Sequence, residues 1–179
     1  MILYTTRHGQ TDNNLKGIIQ GIIDTPLNET GIKEAKELKN KLKDINFDFV
    51  ISSPLKRALD TAKIIIASKN TPIIIDDRII ERNAGDFEGE SHLGYDHIKA
   101  WNYKLNSDLD ANVERVQDIF KRVKIFLNDI KEKYSNKTIL IVAHEAVLRA
   151  IHYSIIGFNE DDDLKSLEID NCCLFKYEI

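Results

Sequence analysis

Cysteine and proline are scarce in this chain, and it has no excess of basic charge. Its two cysteines, Cys172 and Cys173, are neighbours, which rules out a disulfide framework and points to a reducing compartment. Without CxxC spacing or a nearby histidine the pair reads as packing, in a stretch expected to be a strand. Three prolines are too few for a low-complexity or fibrous protein. A formal charge of -4, from 25 Lys and Arg against 29 Asp and Glu, argues against a general nucleic-acid binder, which carries a basic face or stripe. No apolar run approaches the roughly 20 residues of a membrane span. Arg7 and His8 interrupt the apolar start too early for a signal peptide. The expectation is a cytoplasmic protein with neither a membrane nor a nucleic-acid partner. Its oligomeric state leaves no mark on the sequence.

What is present is globular: 42% hydrophobic and 30% charged residues over 179 positions. That length reads as one domain, residues 1–179, able to bury roughly two-thirds of the surface its unfolded chain exposes. Residues 2–6 read as a strand. From Thr30, Ile32, Ala35, Leu38, Leu42 and Ile45 recur every three or four positions, as in an amphipathic helix. Residues 47–51 read as a strand, and Ser53-Pro54 as the cap and first position of a helix carrying Leu55, Ala58, Ala62 and Ile65. Residues 73–75 form another β-branched strand. Residues 78–112 look irregular, with a loop and a short helix near Ile98 and Trp101. Val113, Val116, Phe120, Val123, Leu127 and Ile130 mark a long helix, TILIVA (138–143) a buried strand, 147–156 a helix and 172–177 a last strand.

Strands alternating with helices predict an α/β fold, a mostly parallel central sheet with helices on both faces. Ligands in such sheets lie beyond the carboxyl ends of the strands. The unusual polar residues fall there: Arg7 and His8, Ser52 and Ser53, Glu81, and His144. Histidines and arginines around one acid suit phosphoryl transfer, in which catalysis is mostly positioning and electrostatic stabilisation. Arginine binds phosphate oxygens bidentately and stays charged. Taken singly, each residue has a plainer reading as a solvated or packing side chain; their coincidence at successive strand ends carries the functional one.

RHGQT (7–11), SSPLKRALDTA (52–62), DRIIERNAGDFEG (77–89) and IVAHEAVLRAI (141–151) together resemble the signatures of the histidine phosphatase, or phosphoglycerate mutase-like, family. Asn14, Gln20-Gly21, Asp24, Pro26-Leu27 and Gly31 extend the match over most of the chain. The resemblance implies that His8 is the nucleophile, forming a phosphohistidine that water hydrolyses. It implies that Arg7, Arg57 and His144 bracket the phosphoryl oxygens, with Asn14 as a further donor, and that Glu81 is the general acid and base. His8 must attack as a neutral imidazole, favoured if its other nitrogen donates to a backbone carbonyl. Cations around Glu81 are expected to lower its pKa until bound phosphate offsets them. Gln20 and Gly21 fall on the pocket wall. Arg82 is either a phosphate contact or a surface charge, and Arg78 is equally open. His92, His97 and His152 match no motif and read as surface or packing residues.

No cofactor is called for, and no metal: Leu148 stands where the HExxH pattern needs its second histidine. One departure stands out. Most relatives follow the second histidine with glycine, whereas this chain has Glu145, which could repel phosphate, turn away, or select a substrate with a cationic group. The segment between Gly89 and Val113 is short, a poor cover for a mutase that must keep water from its phosphoenzyme. The reading is therefore a metal-independent phosphomonoesterase acting on a small phosphorylated metabolite. Mutase-type phosphotransfer, and a phosphate-ligand binding protein with little turnover, are the alternatives.

Overall fold

The computed structural model describes residues 1–96, 100–104 and 112–179. Strands β1 (Ile2–Arg7), β2 (Phe49–Ser52), β3 (Ile73–Ile75), β4 (Thr138–Ala143) and β5 (Phe175–Glu178) form one sheet in the order β3-β2-β4-β1-β5. All pairings are parallel except that of β5, which runs antiparallel to β1 at the edge. The helices are α1 (Asp12–Lys16), α2 (Glu29–Lys41), α3 (Lys56–Ile66), α4 (Val116–Lys133) and α5 (Glu145–Ile156), with short 3-10 turns at Asp77–Ile79, Gly85–Phe87 and His92–Gly94. This is the mostly parallel α/β sheet expected.

The two-residue alternation of a strand divides TILIVA between two cores. Ile139, Ile141 and Ala143 join Leu3 and Ile51 under α4 and α5, where Ile119, Val123, Phe126, Val147 and Ile151 are buried. Leu140 and Val142 face the other way, onto Val50, Leu38 and, from α3, Ala58, Ala62 and Ile65. Each large aliphatic side chain so buried contributes about 1.5–3 kcal/mol. Register then sets the site: Arg7 lies opposite Ala143, and Ser52 opposite Val142 and Ile75. The next residues, His8, Ser53, Asp76 and His144, therefore leave the sheet along one edge.

Three local expectations change. Ser53 does not cap α3: the cap position is Leu55, without a side-chain bond, and Ser53 Oγ lies 2.7 Å from His144 Nε2 while accepting from the Leu55 amide at 3.4 Å. Ile32 is 37% exposed. The first turn of α2 instead turns buried Gly31 inward, onto the backbone of Gln10. Cys172 and Cys173 precede β5 rather than lying in it, Cys172 in a turn at φ 52°. Burial pushes both thiols up, Cys172 to about 12, so they are poor nucleophiles. Of the short helix expected near Ile98 and Trp101, Ile98 lies outside the described residues.

Candidate active site

Beyond β1 the chain packs against itself too closely for side chains. A Cβ on Gly9 would lie 2.4 Å from the Gly31 carbonyl oxygen, and one on Gly31 would lie 2.1 Å from that of Gln10. Glycine at both positions lets α2 close over the turn that carries His8. The Gly9 amide donates to Thr61 Oγ1 on α3 at 3.0 Å. Thr11 then starts α1 through a capping box with Asn14.

A cavity of about 290 Å³ opens at this edge, lined among others by Arg7, His8, Asn14, Gln20, Gly21, Arg57, Glu81, Arg82 and Glu145. Nine of the ten residues proposed from sequence thus share it. The tenth, His144, is fully buried and packs on His8, ring centroids 5.1 Å apart. Arg57 reaches the site from the first turn of α3, its Nη1 donating to the Ile23 carbonyl at 2.6 Å and its Nη2 to that of Gly21 at 2.7 Å. Gly21 has a φ of 48°, and a Cβ there would strike the Glu88 carboxylate, so its backbone conformation and its packing both favour glycine. Asn14 and Gln20 use their carbonyl oxygens locally, Asn14 Oδ1 on Thr11 and Gln20 Oε1 on Thr11 and Thr25.

Several donors are left over, three of them on arginines. Arg7 Nε, Arg57 Nε, Arg82 Nη2 and His144 Nδ1 are buried without a hydrogen-bond partner among the described residues. Three belong to residues that line the cavity, and the fourth to the histidine behind His8. Leaving a buried donor unpaired costs about 1–3 kcal/mol, more for a charged group. Arg149 Nε, Thr5 Oγ1 and Gln117 Oε1 are unpaired elsewhere, but the donors of Arg7, Arg57 and Arg82 border one cavity, an arrangement that suits an anion.

His8 Nδ1 lies 2.7 Å from the Gly9 carbonyl oxygen. A carbonyl only accepts, so Nδ1 carries the proton and Nε2 keeps the lone pair. Burial, reinforced by Arg7 and Arg57, holds the His8 pKa well below 6.5. Burial also lowers that of His144, assisted by Arg57 and His8. The Glu81 carboxyl departs from expectation. Burial raises its pKa, with a contribution from Glu145, and outweighs the opposing Arg82 amide and the Arg57 and Arg7 charges. Cations alone do not set this carboxyl: it is desolvated more strongly than it is attracted.

Arg82 is not a surface charge. It is 6% exposed, donates to the carbonyls of Glu114 and Ala100 at 2.7 and 2.8 Å, and stacks on Trp101. Arg78 instead pairs with Asp76 and Asp129 and does not line the cavity. His92, read from sequence as a surface or packing residue, lines it, whereas His152 bonds Tyr177 and His97 lies outside the described residues. Tyr95, Trp101 and Lys165 complete the wall and were invisible in the sequence, since they come from irregular segments with no period or cap. Among the described residues no group of three or more His, Cys, Asp or Glu side chains is arranged to hold a metal ion. No described helix is long and apolar enough to cross a membrane.

The model of the histidine phosphatase superfamily (branch 1) matches residues 3–179. The chain belongs to that superfamily. Its relatives include proteins named as phosphatases, and the chain is a phosphoric monoester hydrolase. The chain is 36% identical over 172 residues to the uncharacterized phosphatase PhoE of Bacillus subtilis, covering 96% of this chain and 85% of that one. It is 32% identical over 160 residues to phosphoserine phosphatase 1 of Hydrogenobacter thermophilus, covering 87% and 76%. The solved alpha-ribazole phosphatase of Shigella flexneri superposes with a TM-score of 0.86 at 30% identity, covering 98% of this histidine phosphatase and 89% of the other chain.

Proposed function

We propose that this histidine phosphatase hydrolyses a small phosphorylated metabolite, without a metal, through a phosphohistidine at His8. The observation that carries the reading is the set of unpaired buried donors on Arg7, Arg57, Arg82 and His144 around a histidine whose Nε2 holds a free lone pair. Nε2 attacks phosphorus, forming the N–P bond as the ester O–P bond breaks. Arg7, Arg57 and Arg82, with His144 donating through Nδ1, take up charge on the non-bridging oxygens. Glu81, whose acid form is favoured by burial, gives its proton to the departing alkoxide. Its carboxylate then takes a proton from water as that water attacks phosphorus, which releases phosphate and restores neutral His8.

The relatives act on different esters by name, a phosphoserine in one and an alpha-ribazole phosphate in another, so the reading stops at a small phosphomonoester. The test is hydrolysis of p-nitrophenyl phosphate in EDTA by the wild type and by His8→Ala. Turnover that persists in chelator and vanishes in the variant supports the mechanism. Equal rates for the two proteins, or loss of activity with EDTA, would overturn it.

A further inference from the structure

The chemistry above uses the phosphate end of the cavity and leaves one wall unexplained. Glu145 opens α5 directly after His144, and a carboxylate beside an anion site repels the anion. It is nevertheless firmly held. Oε1 accepts from Arg149 Nη2 at 3.0 Å and from Lys165 Nζ at 3.1 Å. Burial favours its neutral form, but Arg7, Lys165 and Arg149 overcome that and bring its pKa to about 2, so the charge is present at every working pH.

The other oxygen is open. Among the described residues Oε2 has only the 3.7 Å ion-pair approach of Arg7 Nη1, too long for a hydrogen bond, and that Nη1 already donates to the Ile169 carbonyl. Lys165 lines the same cavity and gives one of its three ammonium protons to Glu145, which leaves two. Its position is fixed from below: Arg149, itself 2% exposed, donates to the carbonyls of Leu164 and Leu167 on either side of it. A free carboxylate oxygen and a partly free ammonium thus stand side by side on a preformed wall.

We propose that Glu145 and Lys165 are specificity-determining residues that read a zwitterionic leaving group, the ammonium on Glu145 Oε2 and the carboxylate on Lys165 Nζ, which makes the substrate a phosphorylated amino acid. Charge-assisted hydrogen bonds are roughly twice as strong as neutral ones, so an ammonium gains more from Oε2 than a hydroxyl in the same place. A purely anionic leaving group meets Glu145 without a compensating cation. The volume of about 290 Å³ lies at the low end of the roughly 300–1,000 Å³ typical of small-molecule sites, which suits a leaving group of a few carbons.

The inference rests on the phosphatase reading, and three near-isosteric esters separate the two. O-Phosphoserine and 3-phosphoglycerate differ by an ammonium in place of a hydroxyl; O-phosphoserine and phosphoethanolamine differ by the carboxylate. The wild type is expected to show higher kcat/KM on O-phosphoserine than on either analogue. Glu145→Gln is expected to lower the first ratio roughly 10-fold to 100-fold, and Lys165→Met the second by a similar factor. A merely structural clamp between α5 and its following loop would lower kcat/KM on all three esters together and leave both ratios in place, which would overturn the inference. So would a wild type that turns over p-nitrophenyl phosphate without preferring O-phosphoserine, an outcome that needs no variant to fold. Absence of turnover on every ester overturns the phosphatase reading instead. Calorimetric binding of the same three compounds to the wild type then decides the specificity, equal affinities counting against it.

Discussion

The imidazoles of His8 and His144 lie 5.1 Å apart, centroid to centroid, at an interplanar angle of 59°. Both are buried among arginines, and both have pKa values well below 6.5, through burial first and Arg7 and Arg57 among the charges that follow. The folded protein therefore resists protons that the unfolded chain, with histidines near 6.5, takes up.

Stability should accordingly be fully present above about pH 6.5 and fall as pH drops below it toward the folded-state values. Two such groups give a slope of up to about 2.7 kcal/mol per pH unit. Urea unfolding at intervals from pH 7 to pH 5 measures it. In His144→Gln the slope in this window should be shallower; an unchanged slope would show that His144 does not titrate as described.

Glu81 carries the opposite shift: its raised pKa keeps the acid form to higher pH than an ordinary carboxyl. With Glu81→Gln, kcat on an alkyl phosphate should fall by about 10²–10⁴, whereas p-nitrophenyl phosphate, whose leaving group needs little protonation, should lose far less. The alkaline limb of the alkyl phosphate pH profile should also disappear. Equal losses on both substrates would remove Glu81 from the role of acid.

Arg57 holds two carbonyls of the loop at Gly21 and Ile23, which a lysine's single ammonium cannot reproduce with the same planar geometry. Arg57→Lys should lower kcat/KM by roughly 10²-fold or more on every ester. Thermal unfolding of the same variant should show a loss of about 1–3 kcal/mol. Retention of near-wild-type activity would mean that charge alone suffices.

Gly31→Ala places a methyl group 2.1 Å from a backbone oxygen. The expected cost is about 1–3 kcal/mol, which is a Tm decrease of roughly 2–12 °C for a chain of this size. Gly89 has open space around its Cβ position, so Gly89→Ala incurs only the strain of its positive φ. A Gly31 variant as stable as the Gly89 variant would contradict the close approach of α2.

The sequence disclosed those parts of the molecule in which local chemistry and tertiary role agree. The β-branched runs at Ile73–Ile75 and Thr138–Ala143 are strands with those same bounds, since they are apolar on both faces and flanked by polar residues. Arg7, His8, Glu81 and His144 could be picked out because a parallel sheet sends such residues to one edge. Ser53 misled because its hydroxyl sits two residues before the cap position, where it meets the Leu55 amide and His144 instead of an amide inside the helix. Cys172 misled because apolar side chains look alike in a strand and in a left-handed turn. Lys165 was hidden because its place depends on Arg149 donating to carbonyls 15 and 18 residues away, a relation with no local periodicity.

The strand order also governs when the site can come into being. β1 touches only β4 and β5, and β2 touches β3 and β4, so the strands that end at Arg7 and at Ser52 share no sheet until Thr138–Ala143 slides between them. On a ribosome the first catalytic motif is synthesised almost at once and then waits for most of the protein to be made. Partnerships so distant along the chain slow folding. A nascent chain that stops short of residue 138 therefore presents the His8 ring without the His144 ring that packs behind it.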